Sequence, residues 1–205
     1  MNWLALKANG LKGVESAKTN LKRKEPTPFK RKAEPNIVGL DCEMVEGVSI
    51  EHMLARVSLV DYDGRIVYDA YVKPVEQVID YRTSITGLTQ ETLSRRGESF
   101  KDVKMRVEEI LKNKLVVGHA IHHDFEALGM LRPEEHLIRD TCLYPPLRPP
   151  KRKSTPSLRL LAEYWLGKVV QTGSHSSVED ARTAMSLYKR FRSEWDLLIE
   201  SQKKV

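Results

Sequence analysis

Five residues of this chain suggest chemistry by type and position: Asp41, Glu43, Asp124, His175 and Asp180. The first two are one residue apart in Leu40-Asp41-Cys42-Glu43-Met44, at the end of an apolar run that begins at Ile37. In a strand, side chains i and i+2 leave the same face, so Asp41 and Glu43 should point together, while Cys42 faces the other way into the core. Two carboxylates held side by side repel unless something positive lies between them. A hard divalent cation that prefers oxygen ligands, Mg²⁺ or Mn²⁺, meets that need. Asp124 and Asp180 fall in the first turns of two expected helices, and an acid there is in itself only a favourable charge-dipole placement. Four acids at strand ends and helix starts say more, because α/β sheets gather their ligand sites there. Acids that bind ions for hydrolysis still need a group to deprotonate water. Histidine, with an unperturbed pKa of about 6.5, is the side chain suited to that work near neutrality, and His175 stands five residues before Asp180.

Periodicity supplies the elements that must position these groups. Ile37 to Leu40 reads as a buried first strand, and residues 54–60 and 66–72 read as a hairpin turning at Asp61-Tyr62-Asp63-Gly64. Residues 80–88 read as loop, Thr89 opens a short helix, and Phe100, Val103, Val107, Ile110 and Leu111 mark a clearer one. Leu115 to Gly118 is a short apolar strand. From Ile121 a helix should bury Phe125, Leu128 and Leu131, and Leu137 to Asp140 should form another strand. A proline-rich basic loop leads to a helix from Ser157 that ends at Gly167. The last helix opens on a capping box, Ser176 to Glu179, and repeats Val178, Ala181, Met185, Tyr188, Phe191 and Trp195 at helical spacing. Strands and helices in this order predict an α/β domain with a mixed sheet of about five strands flanked by helices.

At 205 residues, 40% hydrophobic and 30% charged, the chain suits one globular core and is short for two. Its net charge of +6 lies in residues 1–35, which hold nine Lys/Arg against three Asp/Glu; residues 36–205 hold 25 of each. The boundary is therefore set at a basic, disordered arm, 1–35, followed by the folded domain, 36–205. The arm's triplets Lys22-Arg23-Lys24 and Lys30-Arg31-Lys32 suit nuclear or nucleolar import, or phosphate backbones. No apolar run reaches the length of a membrane span, and Met1 to Leu6 is too short for a secretory signal. Cys42 and Cys142 make neither a disulfide framework nor a zinc site. His52, His119, His122, His123 and His136 are expected as caps and surface residues. A monomer is assumed.

Several segments carry a resemblance beyond spacing: Leu40-Asp41-Cys42-Glu43-Met44-Val45, Asp80-Tyr81-Arg82-Thr83, Val117-Gly118-His119-Ala120 with His123-Asp124-Phe125, Arg139-Asp140-Thr141, and Gly173 to Ala181. In order, from about Ile37 to Trp195, they resemble the signatures of the DEDDh 3′-to-5′ exonucleases, nearest the branch of RNA exonuclease 4 and the interferon-stimulated exonuclease. The resemblance implies a ribonuclease-H-like fold and two divalent cations, Mg²⁺ or Mn²⁺, roughly 3.5–4 Å apart across the scissile phosphate. It implies Asp41, Glu43, Asp124 and Asp180 as metal ligands and His175 as general base. Met44 and Arg82 would approach the terminal ribose, where RNA and DNA differ, and Leu88 would pack on the terminal base. The expected activity is release of nucleoside 5′-monophosphates from single-stranded RNA 3′ ends, in ribosomal RNA processing or nuclear RNA turnover. A DNA exonuclease of the same mechanism and a non-catalytic RNA-binding assembly factor are the alternatives; retention of all five functional residues weighs against the latter. One departure is the stretch Glu46 to Met53, which lacks the Gly-Pro of such relatives. The tract Arg148 to Lys153 could meet backbone phosphates or be a solvated loop.

Overall fold

The structure, a computed structural model, describes residues 36–150 and 154–202. The arm predicted at 1–35 and Lys151 to Lys153 of the basic tract lie outside the described residues.

Residues Ile37–Gly47 form a single strand, β1, where the apolar run alone predicts four residues. The strand continues through its acids because the neighbouring strand β2 (Met53–Asp61) pairs with it from Val38↔Asp61 to Val45↔Met53. Backbone pairing ignores the polarity that ends the apolar pattern. Four further strands are β3 (Ile66–Tyr71), β4 (Val78–Asp80), β5 (Leu115–Gly118) and β6 (Ile138–Asp140). The sheet runs β3-β2-β1-β5-β6, and β4 pairs with the far end of β1 through Glu46↔Asp80. β1, β2 and β3 are antiparallel and β1, β5 and β6 parallel, so the sheet is mixed, as the element order predicts. The β2–β3 turn closes at the expected Asp-Gly pair: Gly64, at φ 81°, donates its N–H to the Asp61 carbonyl at 2.9 Å.

The described α-helices are α1 (Thr83–Thr86), α2 (Gln90–Arg96), α3 (Phe100–Leu111), α4 (His122–Ala127), α5 (Leu158–Leu161) and α6 (Ser177–Gln202). A π-helical stretch, Ala162–Leu166, extends α5 to Gly167. Val38, Leu40 and Leu59 pack with Val103 and Val107 of α3 and Phe125 of α4 on one face of the sheet. On the other face Ile37 and Val117 pack with Leu161 and with Met185, Tyr188 and Trp195 of α6. Alternation along β1 therefore sends Ile37, Gly39, Asp41 and Glu43 toward α6. Gly39 permits the close crossing: a Cβ there would lie 2.8 Å from Val60 Cγ2 and 3.1 Å from the Ala181 carbonyl. Without that approach Asp180 could not reach the acids of β1.

Two local expectations are corrected. Residues 80–88 contain the end of β4 and α1, because Asp80 pairs with Glu46 and Thr86 Oγ1 bonds the carbonyls of Tyr81 and Arg82. Leu131 is 94% exposed, because α4 stops at Ala127 and the chain turns away at Gly129, φ 58°.

Candidate active site

Asp41 and Glu43 leave β1 on the side that α6 covers, and Asp180 lies buried in the first turn of α6. Asp124, also buried, occupies the first turn of α4 just beyond the end of β5. Burial raises the Asp41 carboxyl well above its usual range, and the charges of Asp124, Asp180 and Glu43 push it further. Burial and then Asp180 raise Glu43 to about 8. Burial likewise brings Asp124 to about 8 and raises Asp180. The four acids thus feel one another at a largely buried site, which is costly without a counter-charge.

Glu43 Oε1 and Asp180 Oδ1 are buried without a hydrogen-bond partner. Orphaned buried carboxylate oxygens among four mutually repelling acids are what an oxygen-seeking divalent cation would satisfy, so the donor set fits Mg²⁺ or Mn²⁺. Among the described residues, no three His, Cys, Asp or Glu side chains are drawn to the spacing of a finished metal site. A protein donor also takes one of their oxygens. Gln171 Nε2 donates to Asp180 Oδ2 at 2.9 Å, and the nearby Ser177 backbone and Cys42 favour the charged forms of Glu43 and Asp124 against the burial that raises them. This revises the reading of Cys42, which packs on the core and also meets a candidate ligand. Gln171, in a left-handed conformation at φ 55°, carries no sequence signal for its role.

His175 brings Nδ1 to 3.7 Å from Asp180 Oδ2, with its side chain 34% exposed. Its loop is fixed from the α1 side: the His175 N–H donates to the Ile85 carbonyl at 2.5 Å, and Gly87 abuts the Ser174 side chain. Asp140 performs the matching task at α4. Its carboxylate accepts the N–H groups of Ala120, Ile121 and Cys142 at 2.9, 3.1 and 2.9 Å, fixing the turn that aims Asp124. Arg139, from the same signature, is buried away from the site against Asp196.

Behind Glu43 runs a chain of polar contacts. Ser177 Oγ meets Ser58 Oγ at 2.7 Å, Ser58 donates to Asp69 Oδ1 at 2.8 Å, and Arg56 forks onto both Asp69 oxygens at 2.9 Å each. Burial opposes ionisation of Asp69, but the bonds from Arg56 and Ser58 outweigh it and its pKa is lowered. A depressed folded-state pKa gives stability that is present above the unfolded value of about 3.9 and lost as pH falls through the folded one. Asp69→Asn should therefore cost about 1.5–3 kcal/mol at pH 7, and the deficit should shrink in denaturant titrations as pH falls below about 4.

The remaining predicted contacts are placed as follows. Met44 is partly buried against the core beside a bulge in β1. The Arg82 guanidinium binds Glu46 at 3.1 Å, His52 Nδ1 at 3.2 Å and the Glu51 carbonyl at 3.2 Å, in the turn that departs from the relatives. That turn is clasped by Glu76, which accepts the Ser49 and Ile50 N–H groups at 2.8 Å each. Leu88 is corrected: it is 2% exposed and packs with Val45, Met53, Ala55 and Leu93, so its side chain fills the core and offers no face to a base.

The Exonuclease family model, RNase_T, matches residues 38–188, which include all four acids and His175. The chain belongs to the exonuclease family. Over 168 residues this chain is 45% identical to RNA exonuclease 4 of Xenopus tropicalis, covering 80% of this chain and 40% of the relative. It is 44% identical to RNA exonuclease 4 of Homo sapiens over 169 residues, covering 81% and 39%. The chain thus spans about two fifths of the length of these relatives. Among solved structures it resembles the Saccharomyces cerevisiae Pan2 pseudoubiquitin hydrolase-RNA exonuclease module in complex with A7 RNA, with a TM-score of 0.68 and 27% identity, covering 88% of this chain and 32% of that one. The Neurospora crassa Pan2 catalytic unit gives a TM-score of 0.67 at 25% identity, covering 92% and 33%. The mixed sheet and its flanking helices thus match the exonuclease fold expected from the sequence. Among the described residues no helix is long and apolar enough to cross a membrane.

Proposed function

We propose that this exonuclease trims single-stranded RNA from its 3′ end and releases nucleoside 5′-monophosphates. The observation that carries the reading is that Asp124, Asp180 and Glu43 all act on the buried Asp41 carboxyl, that Glu43 and Asp180 each keep a buried oxygen without a partner, and that His175 lies beside Asp180. Similarity to RNA exonuclease 4 supports RNA as the substrate. The four acids would hold two divalent cations, Mg²⁺ or Mn²⁺, which when bound supply Lewis acidity and charge neutralisation at the scissile phosphate.

The chain's own groups do the rest. His175, partly open to solvent, accepts a proton from the attacking water as its oxygen bonds to phosphorus. Asp180 Oδ2 lies 3.7 Å from the other ring nitrogen, Nδ1, and so sits beside the imidazole through the step. The bond from phosphorus to the 3′ oxygen breaks, and that oxygen takes a proton to leave a new 3′-hydroxyl on the shortened strand. Asp140 and the Arg56–Asp69–Ser58–Ser177 chain hold α4 and α6 so that the acids do not drift apart under their mutual repulsion. The basic triplets ahead of residue 36 support action on nuclear RNA, including ribosomal precursors.

The test is a purified chain given 3′-ended RNA and DNA strands labelled at their 5′ ends, with Mg²⁺, Mn²⁺ or chelator, beside an Asp41→Ala protein. Stepwise shortening of RNA that needs the cation and disappears in Asp41→Ala is expected. Undiminished cleavage by Asp41→Ala would overturn the site assignment, and faster loss of DNA would reverse the substrate.

A further inference from the structure

At the rim of the acid cluster lies a group that the hydrolytic mechanism does not use. His52, from the turn between β1 and β2, meets His123 with ring centroids 5.8 Å apart, and His123 meets His122 at 3.9 Å. His122 and His123 are exposed, and the His52 side chain is 42% exposed. The edges of two rings are engaged: His52 Nδ1 lies 3.2 Å from Arg82 Nη1, and His123 Nδ1 lies 3.8 Å from Glu126. With those edges engaged, the three neighbouring rings still remain open to solvent beside the acids.

Its location is fixed by the same elements as the acids. His122 and His123 immediately precede Asp124 on α4, and His52 reaches β1 through Arg82 and Glu46, three residues beyond Glu43. A strand whose terminal phosphate lies among the acids must leave over a rim of the site, where its bases lose their neighbours. Imidazole is one of the planar groups on which unstacked RNA bases rest, and stacking accepts any base, as an enzyme that removes nucleotides in succession requires.

We propose that His52, His122 and His123 form a stacking platform for a base of the RNA strand close behind the scissile phosphate. The inference rests on the RNA reading above. Its test compares the full chain with His52→Ala, His123→Ala and the double variant, on single-stranded RNA and on the same strand with one abasic nucleotide placed second, third or fourth from the 3′ end. Loss of the platform should raise KM for intact RNA by about 5- to 100-fold while kcat holds. At one abasic position the parent should weaken to the same degree, and the variants should lose nothing more. His52→Phe and His123→Phe, which keep an aromatic face without ring nitrogens, should retain the parent KM.

An unchanged KM in the double alanine variant, an equal loss on intact and abasic strands, or failure of phenylalanine to substitute would each overturn the platform. If the parent hydrolyses no RNA, the RNA reading itself fails. If the parent hydrolyses RNA and the variants match it, only the platform fails.

Discussion

Replacing Asp124 by asparagine is expected to lower RNA hydrolysis by about 10²- to 10⁴-fold while making the metal-free protein more stable. The first effect follows from losing one of four charges that would hold the cations, whose contribution to transition-state stabilisation is several kcal/mol at about 1.4 kcal/mol per factor of ten. The second follows from the cost of the native carboxyl. Burial holds Asp124 near a pKa of about 8, so at pH 7 the folded chain must keep a proton that the unfolded chain gives up. Asparagine has no such requirement, and its carbonyl keeps an acceptor in the same place. A gain of about 1–3 kcal/mol corresponds to several degrees for a domain of this size. Single-turnover hydrolysis and thermal melting in chelator measure the two effects on one preparation. A melting temperature that falls in step with activity would mean that Asp124 is a structural acid and that the loss reflects unfolding.

That pairing of effects bears on what could be read from the chain alone. Asp41, Glu43, Asp124, His175 and Asp180 were legible because each sits at a position set by local periodicity: a strand face, two helical first turns and the loop before one of them. Their helices and strands were legible for the same reason. The supports were not. Arg56, Ser58 and Asp69 meet across the expected β2–β3 hairpin, but Ser177 joins them only because α6 docks over β2, and no local pattern encodes a pairing 119 residues apart. The length of β1 was hidden because its apolar period stops at the acids while its hydrogen-bonding ladder does not. Arg82 and Leu88 show the same limit in side chains. One is drawn to Glu46, 36 residues away, and the other is buried by β1, β2 and α2, so the fate of each depends on tertiary neighbours.

The pH dependence of stability should separate the two kinds of acid and reveal the cations. Asp41, Glu43, Asp124 and Asp180 all have raised pKa values, Glu43 and Asp124 reaching about 8. For a raised carboxyl the stabilising contribution is complete below the unfolded value of about 4 and is lost as pH rises through the folded one. Metal-free protein should therefore melt at progressively lower temperature from about pH 5 to pH 8, opposite in sign to the effect of Asp69, which is lost toward acid. Cations compete with those same protons, so Mg²⁺ or Mn²⁺ should do little at pH 5 and most above pH 7. At a hundred times its dissociation constant an ion adds about 2.7 kcal/mol, or several degrees here. Melting curves across that range, in chelator and in divalent salt matched for ionic strength with monovalent salt, would record it. A divalent shift that is flat with pH, or that survives intact in Asp124→Asn, would place the ions somewhere other than among these acids. A shift that grows with pH and collapses in Asp124→Asn would tie the cost of folding the four carboxylates together to the ions that relieve it.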